Sequence, residues 1–285
     1  MSNTLQPYIY RHFAIKRQPA RKTIFRIYIP ENDLNSYYKL THNPDSAQSD
    51  RDFMKDIIKI IDSILDKETY EYGFADLEGL LHEEFSAFPF GISVARKLDN
   101  AIINSISAGP TEEYLDHYHS VNSEINRNIS LLRDALASIR IKALPVMSTV
   151  SADEFTPEYL RSLKYKHSHK MTATRSGLGW IGKTDLFVSF KFGPRVRLGT
   201  VLIDYPLRLT NSPVQSSFCG ASSLCVDECP AKAASGREWN YLLDRDEFFN
   251  AKTCMNYCQK ISAEKLKKHI SICGKCVQVC PRGTE

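Results

Sequence analysis

The chain has 285 residues, 42% of them hydrophobic and 25% charged, with a formal net charge of +4. That composition belongs to a globular protein with a sizeable core, long enough for one large or two smaller domains. So mild a charge does not by itself argue for nucleic-acid binding, and no run approaches the roughly 20 apolar residues that span a bilayer. Residues 1–10 lack the charged start and apolar run of a secretory signal, so a cytoplasmic chain without membrane contact is expected.

The predicted elements begin with a strand over 24–29, followed by a polar loop over 41–50. A helix is predicted over 52–67, with Phe53, Ile57, Ile60, Ile61 and Ile64 on one face. Phe90, Ile92 and Val94 alternate with small residues and read as a strand. The clearest helix follows Gly109-Pro110. Thr111 caps it, Glu112 and Glu113 fill its first turn, and Tyr114, Tyr118, Val121, Ile125, Ile129, Leu132 and Leu136 form a stripe. That stripe reads as core packing. A strand over 142–150 and a helix opening at Thr156-Pro157 come next. Residues 186–190 and 196–203 read as strands around a Gly193-Pro194 turn. The polar stretch 211–217 divides a predicted domain of residues 1–210 from one of residues 211–285.

All eight cysteines lie between Cys219 and Cys280. In a reducing compartment such crowding argues for metal ligation over disulfides. Cys219, Cys225 and Cys229-Pro230 form one motif; Cys273, Cys276 and Cys280-Pro281 form another; Cys254 and Cys258 stand between them. Bacterial ferredoxins use C-x2-C-x2-C-x3-C-P, in which the last cysteine ligates the other cluster. On that logic one cluster takes Cys219, Cys225 and Cys280, and the other takes Cys229, Cys254, Cys273 and Cys276. Ser222 stands where a further thiolate belongs. Cys258, the serine oxygen or an open iron are the three ways to complete the first cluster, and Cys258 is the softest ligand. Zinc is the competing metal, although a zinc ribbon has no need of two C-x3-C-P endings.

Gly177-Leu178-Gly179-Trp180-Ile181-Gly182-Lys183-Thr184 satisfies both a dinucleotide-binding and a P-loop pattern. Both need a strand before the loop and a helix after it. Here the preceding segment is polar and helix-like, and the following one reads as strand. The remaining readings are a tight packing turn or a loop that lets backbone approach a large planar cofactor.

His169-Lys170, Ala173-Thr174-Arg175-Ser176 with the glycine loop through Lys183, and Gly193-Pro194-Arg195-Val196-Arg197-Leu198-Gly199-Thr200-Val201-Leu202 precede the double Cys-Pro motif. Together, from about residue 88 to the C-terminus, they resemble the epoxyqueuosine reductase family, in particular its shorter relatives. The resemblance implies an α+β fold: a nitroreductase-like cobalamin domain followed by a ferredoxin-like domain with two [4Fe–4S] clusters. It implies electrons passing from a donor such as ferredoxin or flavodoxin, through the clusters, to cobalamin and then to substrate. In the family that substrate is an epoxide on a modified tRNA base. Two departures set this chain apart. No acidic proton donor precedes the glycine loop, where His167 and His169 stand instead, and the sequence ends five residues after Cys280, without the family's helical-repeat extension. A tRNA substrate is therefore not expected.

His169 and Lys170 are the candidate proton donor and anion clamp. Arg175, Gly177, Gly179, Gly182, Lys183 and Arg197 are the candidate cofactor contacts, and Arg195 is a further candidate anion ligand; each has a structural alternative as core or surface residue. The eight cysteines are the metal ligands. The leading reading is an iron–sulfur and cobalamin-dependent reductase of unknown substrate. An auxiliary electron carrier, or a reductive activator of another corrinoid protein, is the alternative.

Overall fold

The computed structural model describes residues 10–13, 25–28, 46–150, 154–207, 209 and 211–283. Strands β1 (Tyr10–Phe13) and β2 (Phe25–Tyr28) pair antiparallel as a separate ribbon. The main sheet holds β3 (Tyr70–Asp76), β4 (Phe90–Lys97), β5 (Ala143–Val146) and β8 (Val196–Ile203), in the order β3-β4-β8-β5, all antiparallel. A small hairpin pairs β6 (Gly179–Ile181) with β7 (Phe187–Ser189). The sheet and the long helices make this a mixed α and β fold.

The sheet's two faces are built differently. Ile92, Val94, Val201 and Ile203 point to one face and join a large core with α1 (Ser46–Ile64) and α3 (Glu112–Ser138). Thr111 caps α3 by accepting from the Tyr114 amide, and the predicted stripe from Val121 to Leu136 is buried. Gly199 makes the close packing possible: a Cβ there would lie 2.5 Å from the Cγ2 of Ile125. The short helix α2 (Asn100–Ser105) lies beside α3 and is capped by Asp99.

The opposite face carries small residues. A Cβ at Gly91 would meet Thr172 at 3.0 Å, and one at Gly73 would meet Ser176 at 3.0 Å. These glycines let α5 (His169–Arg175) lie close on the sheet. Both faces are thus covered, which is why β4 is buried almost throughout instead of alternating. β5 is shorter than the predicted 142–150 strand, because Ser148 leaves the sheet to bond Asn126 of α3. α4 (Pro157–Ser162) follows, capped by Thr156.

The cysteines lie on α6 (Leu224–Asp227), α7 (Ala251–Leu266), α8 (Lys275–Val279) and the loops between them. Residues on both sides of position 210 share their cores. Leu266, Ile272 and Val277 belong to the large core, and Trp180 and Val188 pack with Trp239 and Phe248. Among the described residues no helix is long and apolar enough to cross a membrane.

Candidate functional site

The glycine loop has helix α5 before it, contains β6 and runs into β7, so a helix precedes it and a strand follows, the reverse of the phosphate-binding order. Its glycines answer to packing. A Cβ at Gly177 would fall 2.4 Å from Asn211 Cβ, and one at Gly179 would fall 2.1 Å from the Val188 carbonyl. A Cβ at Gly182 would meet Val188 at 3.1 Å and Cys219 Sγ at 3.5 Å. The space beside these candidate cofactor contacts is therefore occupied by the protein's own atoms. What the loop approaches is a cysteine: Trp180 Nε1 lies 3.4 Å from Cys219 Sγ. Lys183 is buried and donates to the carbonyls of Gly220 and Ser222, at 2.8 and 3.0 Å. It fastens the loop that carries Cys219.

The other candidate cations are also engaged within the protein. Lys170 pairs with Asp185 at 2.6 Å and donates to that residue's carbonyl. Arg175 donates to the Asp76 carbonyl. Arg195 is buried and donates to Asn100, to Asn104 and to the Gln278 carbonyl, tying β8 to α2 and α8. His169 Nδ1 lies 2.8 Å from Thr200 Oγ1 and its Nε2 2.8 Å from the Met147 carbonyl. Nε2 therefore carries the proton, and both nitrogens are used. Burial, together with Arg197, holds this imidazole down to about 4. So held, His169 positions residues 147–149 and is a poor proton donor.

Arg197 does lie at an accessible polar centre. Its guanidinium stacks 4.4 Å from the Tyr118 ring and donates to Tyr118 Oη, to Asn122 Oδ1 and to the Ser148 carbonyl. Burial pushes the Tyr118 phenol up, but Arg197 and the hydrogen bonds from Thr149, Asn122 and Arg197 outweigh it, so the phenol is more acidic than usual. Sequence reasoning missed this residue because its position in an apolar stripe fits core packing equally well. The signal was its register with Arg197, which only the α3–β8 packing reveals.

The eight cysteines are free thiols, and the crossover spacing divides them into two groups. Burial raises Cys225, and the neighbouring thiolates of Cys280 and Cys219 raise it further; Cys219 acts likewise on Cys280. Arg282 reaches the Phe218 carbonyl, joining the two chain segments of this group. In the second group Cys258 Sγ lies 3.9 Å from Cys254 Sγ, with Cys273 beside it. The thiol of Cys258 holds its proton well above the ordinary range, while Cys254 and Cys273 are lowered as its partners, Cys273 to about 7. Burial raises Cys276, as do Cys254, Cys273, Cys225 of the first group and Cys229. One turn of α7 puts Cys258 against Cys254, the shared face that their spacing implies. Among the described residues no set of three or more closes around the position of a single ion.

The second group adjoins the polar centre. A Cβ at Gly274 would lie 2.9 Å from Tyr114, and Tyr114 feels the charges of both Arg197 and Cys276. Tyr114 thus stands between Cys273–Cys276 and Tyr118, one turn along α3. Met147 is 42% exposed nearby, and Phe155 stacks on Tyr159.

No family model matches the chain. Over 116 residues it is 34% identical to an epoxyqueuosine reductase of Lactococcus garvieae, covering 38% of this chain and 30% of that protein. Over 88 residues it is 38% identical to an epoxyqueuosine reductase of Pseudomonas aeruginosa, covering 31% and 22%. The chain is a relative of the epoxyqueuosine reductases. The match spans less than a third of the length of either of these two epoxyqueuosine reductases. The fold is shared with an epoxyqueuosine reductase solved with an epoxyqueuosine-modified tRNA-Tyr stem loop, at a TM-score of 0.53 and 17% identity over 81% of this chain and 65% of that one. It is shared also with a reductive dehalogenase described in terms of B12-dependent dehalogenation, at 0.55 and 14% over 74% and 29%.

Proposed function

We propose that this relative of the epoxyqueuosine reductases is a reductase that carries electrons through two [4Fe–4S] clusters to a corrinoid and on to a substrate. One observation carries the reading: the eight thiols fall into two groups, and the second adjoins a polar centre built on Tyr118 and Arg197. The Cys-Pro cysteines cross over, Cys229 joining the second group and Cys280 the first. That exchange supports a ferredoxin-like two-cluster arrangement within residues 211–285.

Cys219, Cys225 and Cys280 would hold one cluster, and the second group the other. A corrinoid fits the surface beside the second group, where exposed Met147 and the Phe155–Tyr159 stack supply apolar area and Arg197 and Thr149 supply hydrogen bonds. When bound, a corrinoid supplies a strongly reducing metal centre. Around it this chain's residues have separate tasks. Arg197 holds Tyr118 ready to give up a proton from Oη, and His169 fixes residues 147–149 at the edge. An external electron donor is required. Phe190 and Phe218, about half exposed and packed on Trp180 beside Cys219, supply an apolar surface for it to dock.

Anaerobic reconstitution with iron and sulfide, followed by titration with cobalamin, tests the reading. Roughly eight irons per chain and a perturbed corrinoid spectrum are expected. Iron without corrinoid binding would leave the electron-carrier reading. Stoichiometric zinc without iron overturns both.

A further inference from the structure

The two thiol groups are unequal. On the crossover spacing Cys219, Cys225 and Cys280 belong to the first cluster position and Cys229, Cys254, Cys273 and Cys276 to the second, and the structure sets Cys258 against Cys254 on α7. Cubane irons stand apart, so the sulfurs that bind different corners do too. Cys254 and Cys258, in contact at 3.9 Å, serve one corner between them. The second position is therefore complete with one thiol to spare. That spare thiol is not available to the first. Cys258 is buried on the same helical face as Ser262 and Leu266, and α7 would have to rotate to turn it outward.

The first position is completed by no thiolate. Ser222, which holds the place in the sequence, is exposed. Its loop is fixed by Lys183 through the carbonyls of Gly220 and Ser222. No atom stands within 4 Å of where a Cβ on Gly220 would be, so the loop borders solvent. An alkoxide is a hard ligand and a poor match for iron in a sulfide cube.

We infer that the cluster held by Cys219, Cys225 and Cys280 has one iron without a protein ligand, open to solvent at the 220–222 loop and able to take a small thiolate from outside. This rests on the iron–sulfur reading above. The chemistry makes the open corner labile. Ferricyanide removes one electron from [4Fe–4S]2+; the resulting 3+ cube releases Fe2+ and leaves [3Fe–4S]+, and charge and iron balance.

The test is electron paramagnetic resonance and iron analysis of the anaerobically reconstituted full chain. Limited ferricyanide oxidation of the wild type is expected to release one iron per chain and to produce the signal of an oxidised three-iron cluster. Added 2-mercaptoethanol should shift the spectrum of the reduced protein. Ser222→Cys should abolish both effects, and Ser222→Ala should leave them at wild-type size. Cys258→Ala should leave the three-iron conversion unchanged. Eight irons that all resist oxidation in the wild type would overturn this inference while leaving the two-cluster reading intact. So would loss of the first cluster in Cys258→Ala, or faster iron release in Ser222→Ala, which would make the serine oxygen the ligand. Protein that takes up no iron would instead overturn the two-cluster reading itself.

Discussion

Replacing Lys183 by methionine separates a structural lysine from a phosphate-binding one. The side chain is 9% exposed, and its ammonium donates to two backbone carbonyls at 2.8 and 3.0 Å. Each hydrogen bond from a charged donor contributes about 1.5–3 kcal/mol net, so two contribute roughly 3–6 kcal/mol. The variant escapes the cost of keeping an ammonium buried, which offsets a few kcal/mol of that. Glu238, 3.9 Å away and half exposed, adds under about 1 kcal/mol. A net loss of about 2–3 kcal/mol remains. It falls on the loop carrying Cys219, and corresponds to roughly 30- to 150-fold in the population of the opened loop. Iron release to a chelator from the anaerobic holoprotein should therefore accelerate at least about tenfold, while MgATP binds neither protein. Wild-type iron release in Lys183→Met, or micromolar MgATP binding lost in it, would refute the assignment.

Burial raises Glu71, at the β3 edge beside Ser189, to about 7 from an ordinary 4.5. The folded chain thus binds this proton more tightly than the unfolded chain, and the stability it brings is full below about pH 4.5 and lost as pH rises through about 7. Glu71→Gln should gain roughly 1 kcal/mol on wild type between about pH 6 and pH 8 in denaturant titrations; a constant difference would contradict the shift. Arg197→Gln removes the cation stacked on Tyr118 and leaves only the Thr149 and Asn122 hydrogen bonds against burial, so the phenol should titrate higher than in the wild type in an ultraviolet tyrosinate titration. Association with any tRNA should be mainly electrostatic and fall steeply with added salt; tight, salt-resistant binding of a queuosine-type tRNA would make tRNA the substrate.

What could be read from the sequence follows from how local each signal is. The α3 helix was legible because its cap, its acidic first turn and its apolar period all lie within one segment. β3 was not: Gly73 interrupts the run of Tyr70, Tyr72 and Phe74, and the reason for that glycine, contact with Ser176 of the chain across the sheet, lies about a hundred residues away. The flanks of the glycine loop showed that it was no P-loop, but not that Asn211, Val188 and Cys219 fill its surroundings. Cysteine spacing singled out a candidate metal-ligating set and the serine at position 222. It put Cys254 and Cys258 on one helical face, but spacing along a helix leaves open what that face meets.

The shared core has a consequence for the life of the chain in a cell. Ile272 and Val277 flank Cys273 and Cys276 and are buried among residues of α1 and α3. Thiolates deprived of metal at those positions would repel one another within the hydrophobic centre of the whole molecule, not in a detachable appendage. On the two-cluster reading, free energy released on metal capture is folding free energy for all of it. Iron starvation should lower the amount of this protein through proteolysis, rather than leave a reservoir of empty chains awaiting repair.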